Sequence, residues 1–310
     1  MKVFVTGAAG FIGGSIAAGL VKAGHQVIGL VRQPEQIEEL KKIGVAGVVG
    51  TLDDRELLIA QARSADAVVN AASSDNRTAV EAIIDGLSGS GKVFLHTSGS
   101  SIVGDASGGL GTDRIYYEDQ LPEPTPDKAA RVAIDNLVLA AAGKGMRSAV
   151  LCNTLIYGHG ALPRDSVQLP RLLKQARKSG IVRHVGPGLN VWSNVHIDDV
   201  VDLYLLALEK TEAGAFYFVE SGEASFRDMT AAMARALGMG DAQDWPLEQA
   251  KEEWGYEMAS YGLGSNSRVR GKRGREQLGW KPHRPPVLEW ISEDMLGRPK
   301  HAATTRHADI

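Results

Sequence analysis

Three glycines, Gly7, Gly10 and Gly13, stand between the apolar run Lys2–Val5 and a helical pattern at Phe11–Ala23. That spacing suits a pyrophosphate. The first glycine permits a tight turn, the second leaves the backbone open to phosphate, and the third lets helix and strand approach. Free N–H groups at the helix start then face the anion. Because the triplet follows a strand and opens a helix, it reads as a dinucleotide-binding turn, with Phe11 and Ile12 beside the ligand. Arg32 ends the next apolar run, Gln26–Val31, where NAD sites carry an acid for the ribose 2′-hydroxyl. A planar guanidinium there pairs with a 2′-phosphate, so NADP is the expected cofactor. Val49–Leu52 and Asn70–Ser73 close two further runs; Leu52 is expected beside adenine, and Asn70, Ala71 and Ala72 along the cofactor.

Alternation of short apolar runs with helical periods sets the elements that must hold these residues. Strands are expected at Gln26–Val31, Val45–Val49, Ala67–Ala71, Lys92–Thr97 and Ser148–Cys152, with helices at Pro34–Lys42, Asp53–Arg63, Arg77–Leu87 and Asp127–Ala142. An Asp53…Glu56 capping pattern opens one of them. Such spacing implies right-handed crossovers and an α/β, Rossmann-like doubly wound parallel sheet. Gly104–Pro126 has no sustained period, and a loop of that length usually forms a lid or substrate wall. Later come helices at Val167–Lys178, Asp198–Glu209 and Phe226–Leu237, and strands at Ile181–Val185 and Phe216–Val219. The expected division is a dinucleotide-binding domain at 1–157 to which 190–210 returns, a smaller discontinuous substrate domain at 158–189 and 211–300, and a tail at 301–310.

Bulk properties narrow the function. A net charge of −3 and pI near 6.3 give no broad basic field, which argues against nucleic acid as partner. One cysteine, Cys152, permits neither an intramolecular disulfide nor a cysteine-built metal cluster, and its apolar run makes it a buried small hydrophobe. Eight histidines show no HExxH pattern, so no metal is expected. No apolar stretch is long enough to span a bilayer and no signal-peptide pattern opens the chain, so a cytoplasmic protein without membrane contact is expected.

Taken together, Thr6-Gly-Ala-Ala-Gly-Phe-Ile-Gly13, Asn70-Ala-Ala72, Leu155-Ile-Tyr-Gly158, Val195-His-Ile-Asp-Asp-Val200, Ser267-Arg268 and Leu278-Gly-Trp-Lys-Pro282 carry a resemblance. From Met1 to about Pro282 the chain resembles the extended short-chain dehydrogenase/reductase superfamily, in its nucleoside-diphosphate-sugar epimerase and dehydratase group. The resemblance implies a Rossmann-like domain, a smaller C-terminal substrate domain, cofactor contacts at Thr97 and Leu155, and a homodimer through the helices Arg77–Leu87 and Asp127–Ala142. It also implies a catalytic serine after the fifth strand and a Tyr-x-x-x-Lys pair on the following helix. Here the serine position falls on Gly99, between Ser98 and Ser100, the tyrosine position on Asp127, and the lysine position on Arg131. Asp135 replaces the usual glutamate four residues later, and Cys152-Asn153 stands where Arg-Pro is typical. The chain therefore looks like an atypical branch.

Within that frame Arg131 is expected on the nicotinamide ribose hydroxyls, and Asp127 is expected to pair with it one helical turn away. Tyr116 or Tyr117 in the long loop is the candidate for the missing acid, with Tyr117 the expected catalyst and Ser98 or Ser100 orienting a carbonyl. Trp192 and Asn194 are expected to line the substrate pocket, and Arg268 matches an arginine that grips substrate phosphate. His196 precedes a helix that Asp198 is expected to cap, a positioning role. The expected function is an NADP-dependent reductase of a small carbonyl compound. The alternatives are a nucleotide-sugar epimerase or dehydratase, and an NADP-binding sensor without turnover.

Overall fold

A computed structural model describes residues 1–297. Strands run at Lys2–Thr6 (β1), Gln26–Val31 (β2), Ala46–Val49 (β3), Ala67–Asn70 (β4), Val93–Gly99 (β5), Tyr116–Tyr117 (β6), Arg147–Asn153 (β7), Leu155–Tyr157 (β8), Arg183–Val185 (β9), Val191–His196 (β10), Ala215–Val219 (β11), Gly222–Ser225 (β12), Gln243–Trp245 (β13) and Val269–Arg270 (β14). Helices run at Phe11–Lys22 (α1), Glu35–Lys41 (α2), Arg55–Ser64 (α3), Arg77–Leu87 (α4), Ala129–Ala140 (α5), Gln168–Ser179 (α6), Ile197–Lys210 (α7), Phe226–Leu237 (α8), Leu247–Trp254 (α9), Arg273–Leu278 (α10) and Val287–Glu293 (α11).

Seven strands form one sheet in the order β11-β7-β5-β4-β1-β2-β3, every pairing parallel. Such a sheet is covered on both faces, which is why its strands read as unbroken apolar runs. Along β1 the side chains alternate: Val3 and Val5 pack with Ile16, Leu20 and Leu203 on the α1 and α7 face. Phe4 packs with Val68, Ile83, Phe94 and Ile134 on the α3–α5 face. Between β1 and β4 the winding reverses, and ligands of open α/β sheets enter outside the strand C-termini at such a point. A third core, around Leu172, Met229, Met233 and Trp290, belongs to the later segments. There β10 pairs with β8 and β12, while β9–β13 and β6–β14 are separate two-stranded sheets.

Most expected elements lie within two or three residues of these bounds, and Arg77–Leu87 and Phe226–Leu237 coincide with α4 and α8. Four details differ. α3 starts at Arg55 without the expected capping pattern, because the Asp54 carboxylate folds back to accept the Thr51 N–H at 2.6 Å. Strands β6, β8, β10, β12, β13 and β14 stand where no strand is expected: five of them have four residues or fewer, and β10 carries Ser193 and Asn194 in place of an unbroken apolar run. Ala215–Val219, expected in the substrate domain, is instead the edge strand of the large sheet, paired with β7. His196, not Asp198, caps α7: its Nδ1 accepts the Asp198 N–H at 3.1 Å. The expected tail at 301–310 lies outside the described residues.

Candidate active site

At the end of β1 the chain turns through Gly7 at φ +68°, a conformation that side chains rarely adopt. A Cβ on Gly7 would sit 2.6 Å from the Ala71 carbonyl oxygen, and one on Gly13 would sit 2.3 Å from that of Gly7. The turn is therefore packed against the C-terminal end of β4 with no room for a methyl group. Gly10 opens α1 without a side-chain cap, leaving the first N–H groups of the helix facing outward.

Two cavities meet over this turn and share Gly10, Phe11, Ala71 and Asp165. The smaller, about 620 Å³, is lined by Arg32, Gly50, Leu52, Ala72 and Arg164 among others. Arg32 is exposed at its rim, with its backbone N–H bound to Gln36 Oε1 at 3.0 Å, while Arg164 is paired with Glu39 at 2.6 Å. The larger cavity, about 740 Å³, lies over the ends of β5 and β7. Through these shared residues they form one continuous trough.

The larger cavity gathers Ser98, Ser100, Lys128, Arg131 and Trp192. Arg131 is forked onto Asp75, Nε to Oδ1 at 2.8 Å and the second nitrogen to Oδ2 at 2.6 Å, and reaches Ser101 Oγ at 2.9 Å. That fork holds the Asp75 carboxyl below its ordinary range. The expected Asp127–Arg131 helix pair does not form, because α5 begins at Ala129 and leaves Asp127 ahead of it, 3.1 Å from Lys128 Nζ. Ser98 Oγ donates to Asp135 Oδ2 at 2.8 Å, and Ser100 Oγ accepts from Ser267 Oγ at 2.7 Å. Burial, opposed by the Ser98 hydrogen bond, pushes the Asp135 carboxyl up to about 7. Burial pushes the neighbouring His96 down to about 4. Cys152 is fully buried with its thiol pushed up by the same cause, which leaves it no nucleophilic character.

Several expected site residues stand elsewhere. Tyr117 belongs to β6, paired with β14, and lies under Lys272, whose Nζ is 4.5 Å from the ring centre; Tyr116 lines a different cavity. The phenols that do line the larger cavity are Tyr256 and Tyr261, carried by the segment after α9. Buried Lys128 lies 5.6 Å from the Tyr261 ring centre and 3.2 Å from Glu257 Oε1. Arg268 does not reach the cavity: Glu223 takes its fork at 3.0 and 2.7 Å, and Thr112 accepts a third bond at 2.7 Å. Asn194 is buried behind Trp192, whose Nε1 donates to the Ser265 carbonyl at 2.8 Å.

Strand alternation explains the remaining displacements. Thr97 turns away from Ser98 and bonds Tyr204 on α7 at 2.8 Å. Leu155 points into the apolar core, and Asn153, Thr154 and Ile156 line the cavity in its place. Asn70 is buried and ties strand ends together, accepting from Thr6 Oγ1 at 2.5 Å and meeting His96 Nδ1 at 3.0 Å. The aromatic wall from residues 254–261 escaped the sequence reading; a cluster of Trp254, Tyr256 and Tyr261 in a short stretch was its only signal.

With this geometry in place, comparisons with known proteins converge. The family described as "NAD dependent epimerase/dehydratase family" matches residues 3–217. An oxidase of Acremonium sp, ucsJ, is 31% identical over 93% of this chain and 94% of its own. A 2-alkyl-3-oxoalkanoate reductase of Stenotrophomonas maltophilia is 30% identical over 77% of this chain and 76% of its own. Among solved structures, a dTDP-glucose 4,6-dehydratase from Bacillus anthracis in complex with NAD superposes with a TM-score of 0.74 at 18% identity, covering 94% of this chain and 95% of that one.

Proposed function

The chain belongs to the NAD dependent epimerase/dehydratase family, and from that premise we propose that it is an NADP-dependent reductase of small carbonyl compounds. The carrying observation is the wall of the larger cavity. Phe11, Ile156, Trp192, Trp254 and Met258 surround it, while Arg268 is held by Glu223. An apolar-bodied carbonyl compound fits such a wall. A sugar nucleotide would leave its diphosphate without the arginine expected for it. The names of the Stenotrophomonas reductase and the Acremonium oxidase support redox chemistry, and the NAD carried by the Bacillus dehydratase supports a nicotinamide nucleotide in the trough.

When bound, the nicotinamide supplies or accepts hydride. The chain does the rest. The glycine turn and the start of α1 hold the pyrophosphate, and Arg32 takes the 2′-phosphate that selects NADP over NAD. Arg131, released in part from Asp75, bonds ribose hydroxyls. The aromatic wall excludes water and fixes the carbonyl against the hydride path, so that orientation supplies much of the rate. The same proposal takes residues 158–189 and much of the chain after β11 as the substrate-facing part. It also takes the protein as a cytoplasmic homodimer joined through α4 and α5.

Calorimetric titration with NADPH and NADH, followed by a screen of aldehydes, ketones, β-keto acids and sugar nucleotides for NADPH oxidation, tests this reading. Preference for NADPH and turnover of an apolar ketone support it. Turnover of sugar nucleotides alone would install the epimerase reading instead. Tight NADPH binding with no turnover in the whole screen would install the sensor reading.

A further inference from the structure

Beneath the larger cavity one buried polar line joins β1, β4, β5 and α5. Thr6 Oγ1 donates to Asn70 Oδ1, which turns the Asn70 amide so that its Nδ2 faces His96 Nδ1 at 3.0 Å. With a donor opposite, Nδ1 must accept, and the imidazole hydrogen goes to Nε2. His96 Nε2 and Asp135 Oδ1 face each other at 3.7 Å, too far for a hydrogen bond, and neither has another partner among the described residues. A buried carboxylate with one orphaned oxygen is expensive, and a neutral carboxylic acid there costs far less. Ser98 Oγ offers an acid hydrogen on Oδ2 a partner at 2.8 Å, whereas Oδ1 has none, so the hydrogen belongs on Oδ2. The carboxylate accepts from Ser98; once protonated, Oδ2 donates instead, and Ser98 is free to turn its own hydrogen toward the cavity it lines. Arg131, one turn earlier on α5, offers little compensating charge because Asp75 already holds its fork.

Resting on the reductase reading, we propose that Asp135 is a proton store for the cavity, passing its hydrogen through the Ser98 hydroxyl to the oxygen of a carbonyl under reduction. The hydride of the reduced nicotinamide nucleotide forms the new C–H bond, and the carbonyl π pair moves to oxygen. That oxygen takes the Ser98 hydrogen, Ser98 Oγ takes the Asp135 hydrogen, and Asp135 is left as a carboxylate. A proton from bulk solvent, carried in by water after product leaves, refills the store by the same hydroxyl. Asp135 touches no reacting atom and acts through Ser98, which makes it a positioning residue. The groups facing it are Asp75 in the loop after β4, His96 on β5, Arg131 on α5 and the Cys152 thiol on β7. Burial keeps His96 neutral and the thiol protonated, so the carboxyl, pushed up to about 7, is the one of these that titrates near neutrality.

Infrared difference spectroscopy of the ligand-free protein, titrated through neutral pH, tests the store without turnover. A protonated-carboxyl band below neutrality, missing from Asp135→Asn and displaced in Ser98→Ala, is expected; a carboxylate at mildly acidic pH would overturn the proposal. With NADPH and an accepted ketone, Asp135→Asn and Ser98→Ala should each lower kcat about 10²-fold, leave NADPH affinity unmoved, and fail to add when combined. The fall of the wild-type rate as pH rises through the carboxyl titration should vanish, and Ser98→Thr should restore most of the rate. A wild-type pH profile in either of the first two variants sinks the relay, and Ser98→Ala decides the matter if Asp135→Asn folds poorly. If the wild type reduces no carbonyl, the reductase reading falls and takes the delivery step with it. The infrared band tells that failure apart from a failure of the store.

Discussion

The two ends of the trough are built on different principles. At the end proposed for the nucleotide, the backbone shapes the surface: a left-handed Gly7, a Gly13 with no space for Cβ, and the uncapped start of α1, all within fourteen consecutive residues. At the end proposed for the reaction, side chains shape it, and they arrive from far apart: Asp75 after β4, Ser98 on β5, Arg131 and Asp135 on α5, and Tyr261 from beyond α9. The backbone end tolerates no added atom, while the side-chain end depends on pairings between remote elements.

Substitutions can break that contrast. The largest effect is expected at Gly13→Val, where a Cβ 2.3 Å from the Gly7 carbonyl oxygen must displace the turn; calorimetry should detect no pyridine nucleotide binding. Arg131→Ala comes next. It removes three hydrogen bonds to Asp75 and Ser101 and should weaken NADPH binding at least tenfold. Arg131→Lys should recover little, because an ammonium cannot reproduce the fork. Arg32→Ala should cost roughly tenfold in NADPH affinity while leaving NADH unchanged, and equal losses for both nucleotides would remove the NADP assignment. Arg268→Ala sharpens the contrast from the other side. Breaking its partly buried pair with Glu223 should lower stability by about 1–3 kcal/mol in denaturant melts while ketone turnover stays within twofold. Loss of turnover in that variant without loss of stability would return Arg268 to the substrate.

What could be read in the sequence follows the same division. The seven strands of the large sheet and the glycine turn leave local signatures, because each is decided by neighbours within a few residues. The reacting end leaves almost none. Helical spacing pairs Asp127 with Arg131, yet the helix begins two residues later and Asp75, fifty-six residues away, takes the guanidinium. Position in the chain offers Arg268 to a phosphate, yet β12 brings Glu223 against it. Tyr117 is the nearer phenol in sequence, whereas the phenols lining the larger cavity, Tyr256 and Tyr261, come from a segment over a hundred residues on. Pairings between side chains on remote elements depend on tertiary packing, which no periodicity records.

The edge position of β11 has a consequence for synthesis. Strand β7 has an open flank until Ala215–Val219 docks beside it, and Trp280 seals the same body by donating to the Asp199 carbonyl at 2.9 Å. A ribosome must therefore deliver at least 219 of the 310 residues before the sheet is complete. Until then the nascent chain exposes an apolar edge of the kind that invites pairing with other chains. Truncations ending before residue 215 should accordingly appear in inclusion bodies unless a chaperone covers that flank.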